Sequence, residues 1–201
     1  MKNIYNKLLD HFGKQYWWPS ASIKKDEKIL EICIGAILTQ NTSWNNIEKS
    51  IKILKENSLF SLKNISKIQE SELALLIKSS GYYNQKARKI KELIKFLTSE
   101  KEITRNNLLE IWGIGKETAD SILCYAFNQP YFVVDAYTKR IFSRLGFKEN
   151  SYDEIQSLVS KNLDSKHFNE FHALLVRLGK DYCKKQPECN RCPMKKECKF
   201  N

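Results

Sequence analysis

The chain has 201 residues, 42% of them hydrophobic and 28% charged, which suffices for one compact domain or two small lobes without disulfide support. That mixture excludes a disordered chain, and the longest apolar run, residues 32–38, is far short of the roughly 20 residues of a bilayer span. Lys and Arg number 34 against 23 Asp and Glu, a net charge of +11 that favours polyanionic partners, nucleic acid before an anionic membrane face. The first residues also lack the apolar core of a signal peptide, so a cytoplasmic protein with no membrane partner is expected.

Helical periodicity runs along nearly the whole chain. Ile4, Leu8 and Phe12 make one stripe; Ile29, Ile32, Cys33, Ala36 and Ile37 make a second. Trp44, Ile47, Ile51 and Leu54 form a third, with Thr42 or Ser43 as its cap. Stripes at Leu73, Leu76 and Ile77, at Ile90, Leu93, Ile94 and Leu97, and at Ile122, Leu123 and Ala126 follow. Residues 137–145, 153–163 and 167–178 read as helices too. Val133 and Val134 are the one β-branched pair of any force, too short for a sheet. The fold class is all-α, about ten short helices joined by short connections.

Two segments carry chemistry on their residues alone. In Leu108-Leu109-Glu110-Ile111-Trp112-Gly113-Ile114-Gly115-Lys116-Glu117-Thr118-Ala119-Asp120 a helix closes on a Gly-x-Gly hairpin and a second helix starts at once. Glycine permits positive φ and a close approach of backbone to ligand, and the N–H groups of a helix start bind phosphate oxygens. Gly113, Gly115 and Lys116 are therefore candidates for DNA phosphate, although a plain helix–helix turn uses the same residues. In Tyr131-Phe132-Val133-Val134-Asp135-Ala136-Tyr137-Thr138-Lys139-Arg140 an aspartate ends an apolar segment and opens a basic helix. Asp135 reads as an N-cap, a position that also keeps a carboxylate ionised. Lys139 and Arg140 suit phosphates or a solvated face equally.

Cys183, Cys189, Cys192 and Cys198 crowd the end of the chain, a pattern that reads in a reducing compartment as a metal site before it reads as disulfides. Cys33 and Cys124, alone in apolar segments, read as small core residues. His11 stands alone, and His167 and His172 are wrongly spaced for one metal face, so ordinary surface or core histidines are expected.

The hairpin followed by Val134-Asp135 resembles the helix-hairpin-helix DNA glycosylases of the endonuclease III superfamily. Leu38-Thr39-Gln40-Asn41-Thr42 looks like the family's Leu-x-Gln-x-Thr segment, whose glutamine fills the gap left by an extruded base. Gly81-Tyr82-Tyr83-Asn84-Gln85-Lys86-Ala87 is similar to its Gly-x-Tyr-x-x-Lys-Ala, in which the residue after glycine wedges into the duplex. Gln40, Tyr82 and Asn84 then form the gap-and-wedge set. The cysteine run, preceded by Leu178-Gly179-Lys180, looks like the family's structural [4Fe–4S] loop. Its spacing, Cys-x5-Cys-x2-Cys-x5-Cys, has a first gap one residue shorter than the family's commonest form. Zinc is the weaker alternative, since zinc sites favour paired short Cys-x2–4-Cys units and one such unit is present.

The resemblance implies two helical lobes flanking a DNA groove. One spans residues 23–132 and contains the hairpin at 108–124. The other joins residues 1–22 to 133–201, with the cluster loop at 183–198 and Asp135 at the lobe junction. It also implies a monomeric, nucleoid-associated enzyme acting on double-stranded DNA with a damaged base. Bifunctional family members carry a lysine just before the Thr-Ala of the second hairpin helix; here Glu117 stands at that position, and a carboxylate cannot form a Schiff base. Lys116 projects about 100° away around the helix. A monofunctional glycosylase is expected, with Asp135 stabilising the oxocarbenium-like sugar. Tyr16-Trp17-Trp18-Pro19 looks like the base-pocket segment of the 3-methyladenine DNA glycosylases of the endonuclease III class, so Trp17, Trp18 and Pro19 are base-pocket candidates for an alkylated purine. A bifunctional or mismatch-type glycosylase acting on oxidised pyrimidines or on uracil or thymine opposite guanine, and a catalytically silent DNA-binding module, are the alternatives.

Overall fold

The computed structural model describes residues 1–20, 22 and 24–200. Ile23, the expected first residue of one lobe, lies outside the described residues. No strand occurs among the described residues; the elements are α1 (Lys2–Phe12), α2 (Lys25–Leu38), α3 (Trp44–Glu56), α4 (Leu62–Lys67), α5 (Glu70–Leu76), α6 (Tyr83–Leu97), α7 (Arg105–Leu109), α8 (Lys116–Ser121), α9 (Ala136–Leu145), α10 (Tyr152–Asn162) and α11 (Phe168–Asp181). No helix is long and apolar enough to cross a membrane among the described residues.

The chain divides into a hairpin unit, Ser20–Phe127, and a terminal unit formed by Met1–Pro19 with Asn128–Asn201. The second boundary therefore precedes Phe132 rather than following it. Side-chain packing explains why: Phe132, Val133 and Val134 are buried, and the Phe132 ring lies 5.7 Å from Phe168 and 5.6 Å from Phe171 of α11.

Within the hairpin unit α2 is the central element. The sequence suggests a one-sided stripe, but every residue from Leu30 to Leu38 is buried, because α3, α6, α8 and the turn after α8 pack around it. A helix apolar nearly all round is one enclosed by its neighbours. Cys33 and Cys124 lie in this core, and burial pushes both thiols up to about 12, with Asp120 adding to the effect at Cys124. Thr104 caps α7 by accepting the Asn107 N–H at 3.2 Å. The Arg105 guanidinium then grips the fully buried Asp120 of α8 with two bonds, 2.7 and 3.0 Å, tying the limbs of the hairpin together. Past α8 the helix widens into a π-turn over Ile122–Ala126, packed on α2.

In the terminal unit α11 is the central element, packed by α1 and α9. Gly179 permits the close approach of α9, since a Cβ there would collide with the Tyr137 ring. α10 opens with a reciprocal capping box between Ser151 and Glu154.

Candidate active site and DNA-facing turns

Asp135 is the N-cap of α9, and its Oδ1 accepts the Thr138 N–H at 2.7 Å. Its Oδ2 lies 3.6 Å from Nε2 of His172, a buried residue of α11. Burial pushes the carboxyl upward, but the nearby His172 ring, together with Thr138 and its donated N–H, outweighs it and holds Asp135 below its ordinary value. Sequence reasoning missed this neighbour, treating His172 as an unremarkable histidine. Nothing local could have found it, because the ring projects from the buried face of α11 among apolar residues, and only the tertiary fold brings it to Asp135.

Trp18 is buried and Trp17 half-buried, with ring centroids 5.8 Å apart in an edge arrangement. The Lys180 ammonium lies 5.6 Å over the Trp17 ring, so that ring already attracts a cation. Pro19 is exposed.

The four C-terminal cysteines sit on one loop held by α9. The Arg144 guanidinium donates to Cys183 Sγ at 3.2 Å and to the Lys184 and Lys185 carbonyls at 2.7 and 3.1 Å. Cys198 Sγ donates to the Arg144 carbonyl at 3.3 Å, and the Arg140 Nε–H donates to the Cys183 carbonyl at 2.7 Å. Met194, within the loop, is buried. Burial pushes the Cys192 thiol up, and the charges of the other three cysteines push the same way. The donor set, four soft thiols within mutual electrostatic reach, fits an iron–sulfur cluster or zinc by its chemistry. As positioned, no three His, Cys, Asp or Glu side chains among the described residues are drawn around a common centre.

The remaining candidates belong to the hairpin unit. Gly113 has φ 79° and takes up the left-handed turn of the hairpin, whereas Gly115 is extended at φ −94°, a conformation open to any residue. The requirement for glycine therefore rests on Gly113. Lys116 and Glu117 open α8 and are exposed. Gln40 follows α2, and its amide is fixed at both ends: Oε1 accepts from Lys89 Nζ at 2.6 Å, and Nε2 donates to Thr118 Oγ1 at 2.9 Å. Tyr82, 68% exposed, precedes α6 with φ 48°, a left-handed conformation that costs a bulky side chain about 1–3 kcal/mol. An exposed aromatic held at such a position suits a wedge. Asn84, in the first turn of α6, is exposed.

Residues 34–165 match the HhH-GPD superfamily of base excision DNA repair proteins. The chain belongs to that superfamily. A protein of Methanocaldococcus jannaschii named as a DNA repair glycosylase is 44% identical, covering 97% of this chain and 94% of its own length. Endonuclease III of Thermotoga maritima is 32% identical over 88% of this chain and 85% of itself. Among solved structures, the H. pylori 3-methyladenine DNA glycosylase bound to 1,N6-ethenoadenine superposes with a TM-score of 0.78 at 31% identity, covering 89% of this chain and 96% of that one. A non-covalent endonuclease III–DNA complex superposes with a TM-score of 0.85 at 24% identity over 99% of this chain and 94% of its own, a likeness of fold. As an HhH-GPD protein the chain is a DNA glycosylase of base excision repair, a hydrolase of N-glycosyl bonds.

Proposed function

We propose that the chain is a monofunctional glycosylase that extrudes a damaged base from double-stranded DNA and hydrolyses its glycosidic bond, with alkylated purines of the 3-methyladenine type as substrates. Two observations together carry this reading: a carboxylate, Glu117, stands at the lyase position in the sequence, and Asp135 is kept ionised at the start of α9. Bond breaking leaves positive charge on the deoxyribose. The Asp135 carboxylate stabilises that charge and accepts a proton from the water that attacks C1′, while the base departs with the bonding electrons. N3-methylated adenine is cationic in the nucleotide and leaves as a neutral base, so no general acid is required. The Trp17 ring, which attracts the Lys180 ammonium, is the kind of surface on which a cationic base gains about 0.5–2 kcal/mol. The 31% identity to a 3-methyladenine DNA glycosylase supports the same substrate class.

Cys183, Cys189, Cys192 and Cys198 would hold a [4Fe–4S] cluster in preference to zinc. Bound there, the cluster would lend rigidity to the basic C-terminal loop, and the hydrolysis is assigned to Asp135. Gln40, Tyr82 and Asn84 open the duplex, and Gly113, Gly115 and Lys116 hold a phosphate of the monomer's DNA. A bifunctional reading is favoured by one observation, the 32% identity to a protein named endonuclease III. Chromatography of bases released from N-methylated DNA tests the proposal: release of 3-methyladenine is expected, and release restricted to uracil, thymine or oxidised pyrimidines from DNA carrying them would overturn it.

A further inference from the structure

The largest side chain withdrawn from solvent in the hairpin unit is charged. Lys86 of α6 is 2% exposed, and its ammonium donates to two main-chain oxygens, Leu38 at 2.9 Å and Ser80 at 2.7 Å. Leu38 is the last residue of α2, immediately before Thr39 and Gln40; Ser80 ends the short 3-10 turn Lys78–Ser80, immediately before Gly81 and Tyr82. Both carbonyls belong to helix ends, where acceptors lack partners within the helix and a cation is favoured. An apolar side chain would fill the same space without the cost of burying a charge, but it would leave the two turns unconnected.

One turn further along the same face of α6 stands Lys89. Its ammonium holds Gln40 Oε1, and its methylene groups lie over Gly113 so closely that a Cβ there would meet them at 2.5–2.9 Å. Gln40 in turn donates to Thr118 of α8. Two lysines on one helical face thus tie together the Gln40 turn, the Tyr82 turn and the hairpin.

We propose that Lys86 and Lys89 are positioning residues for duplex opening: they lock the gap-filling turn, the wedge and the hairpin into one rigid set, so that the three engage DNA together. This rests on the roles given above to Gln40 and Tyr82, and it is independent of which base is excised. A test that keeps the two apart uses duplex DNA with a tetrahydrofuran abasic analogue opposite 2-aminopurine, whose fluorescence rises when it is unstacked. Wild-type protein at saturation is expected to brighten the probe. Lys89→Met, at a half-exposed position that tolerates substitution, is expected to saturate the same duplex yet lose most of the brightening, with Lys89→Arg restoring it. Lys86→Met is expected to lose it as well. In a Gln40→Ala background Lys89→Met should have no further effect, since coupled residues do not add. Wild-type brightening in Lys89→Met would overturn the proposal. So would a loss of affinity that accounts for all of the lost signal, and so would a wild type that leaves the probe stacked. The identity of the released base is read separately on methylated DNA, so the alkylpurine assignment and this one can fail independently.

Discussion

Asp135 in the terminal unit, its side chain 14% exposed, and Lys86 in the hairpin unit, 2% exposed, are both charged side chains largely withdrawn from water, yet their surroundings treat the charge in opposite ways. Around Asp135 the penalty of burial is outweighed by His172 and the Thr138 donors, and the charged form is favoured. Around Lys86 burial lowers the pKa and the nearby Lys89 lowers it further, to about 8, while its partners are neutral carbonyls. Each charge is held in the way its task requires. A carboxylate that must meet a developing cation needs to be ionised before the substrate arrives, and the groups around Asp135 favour that form. An amine that joins two turns needs only to donate hydrogen bonds, which it does protonated or not.

Removing the first charge has the largest expected effect. Asp135→Asn keeps an effective helix cap, so the melting temperature should change little while single-turnover base release falls by about 10²–10⁴-fold. A loss below tenfold would contradict the role. His172→Gln makes the Asp135 environment more like that of Lys86, with burial less opposed. In the wild type the folded-state pKa of Asp135 is depressed, so its stabilisation is present above the unfolded-state value and is lost as pH falls through the lower folded-state value. The variant should therefore lose activity on the acid side at a higher pH than the wild type, read from pH–rate profiles. An unshifted acid limb would remove His172 from the account.

The smallest effect belongs to Lys86. Its folded pKa, about 8, lies below that of an unfolded lysine, about 10.4, so the unfolded chain binds the proton more tightly across that window. Wild-type stability relative to Lys86→Met should rise between those pH values, by at most about 1.4 kcal/mol per unit, and be flat below them. Denaturant melts at about pH 7, 8, 9 and 10, chosen to run from below that window through most of it, check the slope. A difference that is flat throughout would show that the amine is not desolvated.

Much of the fold was legible because apolar spacing encodes which face a helix buries. Ile47, Ile51 and Leu54 on α3, and Ile90, Leu93 and Ile94 on α6, are buried as their spacing predicts. The enclosure of α2 was less legible, since a stripe and a fully surrounded helix differ only in what packs outside. Asp135 could be read as a cap from the apolar segment before it and the basic helix after it. Lys86 stood in a motif, yet a lysine in sequence reads as solvent-exposed, and its burial depends on where Leu38 and Ser80 end up. Gly113 and Gly115 looked equivalent, but the hairpin bends the backbone into the left-handed region at Gly113 and leaves Gly115 extended. Long-range pairs such as Asp135 with His172 leave no local pattern to read.

Hydrolysis carried by a carboxylate, without a covalent lysine intermediate, is decided by borohydride trapping during turnover on duplex DNA carrying the base that is released. Base release with no reduced protein–DNA adduct is expected from the wild type, and an adduct from Glu117→Lys, which places an amine at the lyase position. A wild-type adduct that disappears in Lys116→Met would contradict it, transferring the chemistry to Lys116 and making the enzyme a lyase.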